Sequence, residues 1–93
     1  MGRSRRPQPA HLALKLLRVR EALGVSQAAM VELLAQPKVH PAHISGYERG
    51  EREPPLTVLL AYARLAGVCL DVLVDDELDL PAKLPAKPKH RMK

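Results

Sequence analysis

The stretch Val39 to Pro55, V-H-P-A-H-I-S-G-Y-E-R-G-E-R-E-P-P, carries a short helix together with its start and stop signals. Pro41 suits a first helical position, where its missing N–H would have had no intrahelical acceptor. Ile44 and Tyr47 share one helix face, Gly50 can close the helix in a left-handed cap, and Pro54-Pro55 can open the next helix. About two and a half turns fit between these signals, too few to be stable alone, so neighbouring elements must hold the helix. Its outward residues are then presented rather than buried.

Working outward, Gly24-Val25-Ser26-Gln27 leads into Ala28, Met30, Val31 and Leu34, which reads as a second short helix with Ser26 as N-cap. The pattern predicts an all-α chain of five helices and no strands. Helix one runs from about His11 to Leu23, with Ala13, Leu16, Leu17, Arg20 and Leu23 towards one side and Gly24 as terminator. Helix two covers about Gln27 to Ala35 and helix three about Pro41 to Arg49. Helix four covers about Pro55 to Ala66, with Leu56, Leu59, Leu60 and Ala63 as its apolar stripe. A last turn or two, Leu70 to Val74, offers Leu70, Leu73 and Val74 to the core or to a second subunit.

These segments resemble the phage-repressor-like, XRE-type helix-turn-helix family. The residues that carry the resemblance are Arg20, Gly24-Val25-Ser26-Gln27, Val39, Ile44-Ser45, Tyr47-Glu48-Arg49-Gly50, Pro54, Ala63, Gly67-Val68 and Leu73, spanning roughly residues 12 to 75. The resemblance implies a compact five-helix, lambda-repressor-like DNA-binding domain over residues 11–80, flanked by a basic flexible arm (1–10) and a Pro/Lys-rich flexible tail (81–93). It further implies double-stranded DNA as partner, helix three in the major groove and a homodimer on half-sites ~34 Å apart.

Residue by residue, the family pattern points outward on helix three to Pro41, Ala42, His43, Ser45 and Gly46. Only His43 and Ser45 among these can hydrogen-bond a base, while Ala42 can touch a thymine methyl. His40 falls where a Ser cap is common. Gln27 matches a residue that bonds a backbone phosphate at a helix N-terminus, where the dipole favours an anion. Arg49 and Arg52 can add phosphate contacts, or pair at the surface with Glu51 and Glu53. Arg20 and Glu48 match a partly buried ion pair tying helix one to the end of helix three, a structural rather than a reading role.

The chain departs from the family in three places. Ala35-Gln36-Pro37-Lys38 stands where a single Gly is usual, so the tight turn becomes a loop; Leu34, Val39 and Ile44 must then hold the interhelical angle, and Lys38 at the tip is placed for a phosphate. Gly46 lies mid-helix, which costs about 1 kcal/mol against Ala and reflects either close approach to DNA or tight packing. Cys69 replaces a Ser cap, so the start of the last helix is expected to fray.

Ninety-three residues allow one domain of modest stability. The formal charge of +5 is misleading about where the positive field lies. Arg3, Arg5 and Arg6 at the front and Lys83, Lys87, Lys89, Arg91 and Lys93 at the back hold 8 of the 15 basic residues and none of the 10 acids, leaving the chain between them at −3. Phosphate neutralisation dominates DNA affinity, so the arms are the expected source of the field, unless they are merely solvated tails.

A single cysteine, Cys69, can form no internal disulfide and fits a reducing cytoplasm. No signal peptide, myristoylation pattern or membrane span is expected. His11, His40, His43 and His90 show no metal-site spacing, and no nucleophile motif or phosphate-cradling loop is present, so neither an enzyme, a metal nor a cofactor is expected. The alternative is a protein-interaction module on the same fold, antitoxin-like or adaptor. It would use the acidic Asp75-Asp76-Glu77-Leu78-Asp79 segment to dock a partner protein.

Overall fold

In a computed structural model that describes residues 9–84, α1 (Leu12–Leu23), α2 (Gln27–Leu34), α3 (Pro41–Glu48), α4 (Leu56–Ala66) and α5 (Leu70–Val74) follow one another without a strand. Boundaries shift by one residue at several ends, each for a local reason. His11 serves as N-cap of α1 rather than its first residue, Ala35 leaves the helix with φ 54°, and Pro55 is the extended N-cap of α4. The basic residues at 1–8 and 85–93 lie outside the described residues.

Local chemistry explains the elements. Ser26 Oγ accepts the Ala29 N–H at 3.0 Å and so satisfies one of the orphan donors of α2. At the end of α3 the chain forms a Schellman closure: the Glu51 N–H reaches Gly46 O at 2.9 Å and the Gly50 N–H reaches Tyr47 O at 3.2 Å. That closure requires a left-handed residue, and Gly50 supplies φ 72° without a Cβ penalty.

Packing places α3 against both α1 and α2, while α4 and α5 close the other side. Leu16, Val19, Met30, Ile44, Tyr62, Ala66 and Leu73 are fully buried, and each large apolar side chain among them contributes about 1.5–3 kcal/mol. Two helix faces are rotated from their sequence expectation. On α1 the buried residues are Leu12, Lys15, Leu16 and Val19, with Ala13 and Leu17 only half-buried. On α4 they are Val58, Leu59, Tyr62, Ala63 and Ala66, and Leu56 is 67% exposed. The expected stripes omit Leu12, Lys15 and Val19 on α1 and Val58, Tyr62 and Ala66 on α4.

Lys15 is 6% exposed. Its ammonium donates to Val72 O at 2.8 Å, Asp75 O at 3.1 Å and Leu78 O at 2.7 Å, capping the carbonyl end of α5. In return, the Asp76 carboxylate accepts the Ala10 N–H at 2.8 Å and the His11 N–H at 3.0 Å at the start of α1. Cation at a C-terminus and anion at an N-terminus each complement a helix dipole. The two helices therefore cap each other. Cys69 gives α5 no side-chain cap, so this clasp is what holds the short helix at its far end.

Candidate nucleic-acid interface

The inserted loop keeps α2 and α3 together by burying its flanks: Leu34, Val39 and Ile44 are 2%, 9% and 0% exposed. Its tip carries strain. Ala35 and Lys38 both adopt positive φ, 54° and 68°, where an L side chain costs about 1 kcal/mol or more. Lys38 is exposed there, beside the start of α3.

The end of α3 is fixed by a bidentate pair. Arg20 Nε donates to Glu48 Oε2 at 2.6 Å and Nη2 donates to Oε1 at 3.0 Å, while Nη1 donates to Val25 O at 2.9 Å. Arg20 is raised above its ordinary value, chiefly by the hydrogen bond to Glu48 and against the pull of burial. Gln27 Nε2 joins the same carboxylate at 3.1 Å. One N–H of this amide is thereby engaged within the protein, and its second remains for an outside acceptor. The first turn of α2, the end of α1 and the end of α3 thus meet at Glu48, which sets the angle between α2 and α3.

On α3 itself, Pro41 and Ala42 are exposed and Ser45 is half-exposed. His40 is the N-cap, and its backbone N–H donates to His43 Nδ1 at 3.2 Å. His43 thus plays the part that Glu or Gln plays in a capping box. An occupied Nδ1 leaves the proton of the neutral ring on Nε2, so His43 offers a donor to any external partner. Burial, then the Arg52 cation and then His40, hold its pKa below the ordinary imidazole value. Arg49 Nη2 pairs with Glu51 Oε1 at 3.1 Å, both well exposed; such a pair is worth little and is readily exchanged for a phosphate.

Gly46, on the outward side of α3, is buried under Arg52, which is the tight packing that its place in mid-helix allowed. A Cβ built there would lie 3.1 Å from Arg52 Cβ, and the Arg52 N–H reaches Gly46 O at 3.2 Å. Sequence reasoning placed Arg52 beyond the helix and missed that its stem lies across it. The acidic segment is also used internally, with Asp76 capping α1 and Asp75 Oδ1 accepting the Glu77 N–H at 2.9 Å. Among the described residues no cluster of three or more His, Cys, Asp or Glu could hold a metal ion.

A family model for a helix-turn-helix domain matches residues 11–76. The chain belongs to the helix-turn-helix domain family. Among solved structures, this helix-turn-helix protein is similar to the P22 c2 repressor protein, crystallised in complex with synthetic operator 9T in the presence of Tl+. The two are 27% identical with a TM-score of 0.61, over 75% of this chain and 98% of that one. The fold is therefore phage-repressor-like. No curated protein matches the chain. No helix among the described residues is long and apolar enough to cross a membrane.

Proposed function

We propose that this helix-turn-helix protein is a sequence-specific, double-stranded-DNA-binding transcriptional regulator that acts as a homodimer in the cytoplasm, with α3 in the major groove. One observation carries the reading. α3 presents Pro41, Ala42 and Ser45 to solvent, on a fold that matches an operator-bound repressor over nearly all of that chain. The Arg20–Glu48–Gln27 junction supports it, because it fixes how α3 stands relative to α2 before any DNA is met.

In this reading Ser45 and the Nε2–H of His43 hydrogen-bond base edges and Ala42 packs on a thymine methyl. Phosphates are held by the N-terminus of α2 with the free Gln27 N–H, by Lys38 at the loop tip and by Arg49. The arms add the long-range attraction that a net-acidic core lacks. The protein-partner reading finds no separate support, because Asp75 and Asp76 hold the fold together.

The test is selection from a random duplex pool with sequencing, at two salt concentrations. The full chain is compared with a variant whose arm residues Arg3, Arg5, Arg6, Lys87, Lys89, Arg91 and Lys93 are changed to Gln. A palindromic motif retained by the arm variant, with a shallower salt dependence, is the expected result. No motif, and binding that disappears with the arm charges, would overturn the proposal.

A further inference from the structure

We infer that Arg52 is a base-reading residue, supplying from outside α3 the side chain that Gly46 lacks; this rests on the DNA-binding reading above. Gly46 follows Ile44 by two residues and so lies about 160° around the helix from it. Ile44 is fully buried, so Gly46 sits on the side away from the core, between Ala42 and His43. A residue there should be open to solvent. It is buried instead, and the atoms that cover it are Arg52 Cβ, Cδ and Cγ, which would lie 3.1, 3.6 and 3.9 Å from a Cβ at that position.

The Arg52 stem is therefore laid against α3 over Gly46, beside the cleft between α3 and the start of α4. Two neighbours register where its charge goes. The Arg52 cation helps hold His43 below its ordinary value, and by its charge and a hydrogen bond to the Tyr47 phenol it opposes the upward push of burial there, which leaves the rest of its five N–H donors for an outside acceptor. His43, Tyr47 and Arg52 also share the lining of one open cleft of about 320 Å³ with Lys38 of the inserted loop and with Pro55 and Thr57 at the start of α4. Arg52 itself remains exposed.

A guanidinium on this face suits guanine. Its planar fork matches O6 and N7 in the major groove with a fixed geometry that the flexible, more strongly hydrated Lys ammonium matches less well. Arg49, at the end of α3 and paired with Glu51, is the contrasting case of a peripheral cation. The glycine suits this arrangement. A Cβ at position 46 would crowd Arg52 Cβ at 3.1 Å, so the stem would have to give by a few tenths of an ångström, and a longer side chain would compete with it for the face.

The experiment compares the full-length wild type with Arg52→Lys, Arg52→Gln, Gly46→Gln and the Gly46→Gln/Arg52→Lys pair, using duplex selection and salt-dependent affinities. Thermal melts establish that each variant is folded. A base-reading Arg52 predicts that Arg52→Lys keeps the salt slope and the stem packing but loses guanine preference at one position per half-site, by about 5- to 150-fold. Gly46→Gln should change preference at the same position and leave Arg52→Lys without further effect there.

A wild-type motif that Arg52→Lys and Arg52→Gln both leave intact overturns the inference. So does an Arg52→Gln variant that weakens all sequences equally and lowers the salt slope by about 1, which is the signature of a phosphate contact. A wild type with no motif sinks the DNA-binding reading itself, and is distinguishable from both.

Discussion

Replacing Lys15 with Met isolates the clasp between α1 and α5, because Met keeps most of the apolar stem and removes only the ammonium. Three carbonyls then lose their donor, at 2.8, 3.1 and 2.7 Å. A hydrogen bond to a charged group is worth about 1.5–3 kcal/mol net, and the three share one ion whose burial offsets part of the sum. Asp75 and Leu78 are exposed, so their carbonyls can recover water. The expected loss is therefore about 3 kcal/mol, or about 12–24 °C in Tm for a domain of this size.

The loss should also be local first. α5 has five residues and one fully buried anchor, Leu73. Amide hydrogen exchange should show the Val72 and Asp75 N–H groups opening well below the global stability, while those of α2 and α3 open only with it. Because the ammonium is buried, added salt should change the difference little. A loss under about 0.5 kcal/mol, with α5 protection unchanged, would refute the reasoning.

Other perturbations follow from the same geometry. Glu48→Ala strands the Arg20 guanidinium and one Gln27 N–H, and should cost about 3 kcal/mol or more; chemical denaturation of the Arg20→Met/Glu48→Leu pair should show a smaller loss than the single change. Tyr62→Phe removes a buried hydroxyl that has no hydrogen-bond partner among the described residues; its melt should be unchanged or raised, by up to about 1 kcal/mol, since no bond is broken.

Ala35→Gly relieves a left-handed alanine and should stabilise by about 1 kcal/mol, read as a rise in the denaturation midpoint. Acid should weaken the fold in two steps. His43 is held below its ordinary 6.5, so the unfolded chain takes up the extra proton first and stability declines as pH falls through 6.5 towards the folded value. Asp76, held down by the Ala10 and then the His11 N–H, gives a stabilisation present above its ordinary 3.8 and lost as pH falls through the lower folded value. His43→Gln should remove the first step and Asp76→Ala the second, in pH-dependent melts.

What could be read in the chain beforehand was its local chemistry. Ser26, Pro41, Gly24, Gly50 and Gly67 mark helix ends within a turn of themselves, and the helices begin and end near them. The Arg20–Glu48 geometry spans 28 positions and came from a family resemblance, since nothing in spacing alone brings those residues together. The clasp is separated by nearly the length of the domain: Lys15 and Asp76 each meet partners 57 to 66 positions away. A lysine and an aspartate among apolar neighbours give no periodic signal of such a role.

Two misreadings have a common physical origin. Hydrophobic periodicity weighs side chains by polarity, whereas burial depends on where the stem and ring lie. The stems of Lys15 and Tyr62 are thus buried on α1 and α4 although each ends in a polar group, and the Arg52 stem covers Gly46 on the outward side of α3. The inserted loop was legible in length but not in shape, because Ala35 and Lys38 take a backbone region that their side chains disfavour and that the packing of Leu34, Val39 and Ile44 imposes.

The central claim is that α3 is the face this protein sets against DNA. The most direct test is an NMR titration of the full chain with a mixed-sequence duplex at low salt, following every backbone amide. The account predicts the largest shifts within Ala42–Glu48 and at the start of α2, Ser26 to Ala29, with α5 and Asp75–Asp79 unmoved. Shifts confined to the arms at 1–8 and 85–93, with α3 silent, would contradict it.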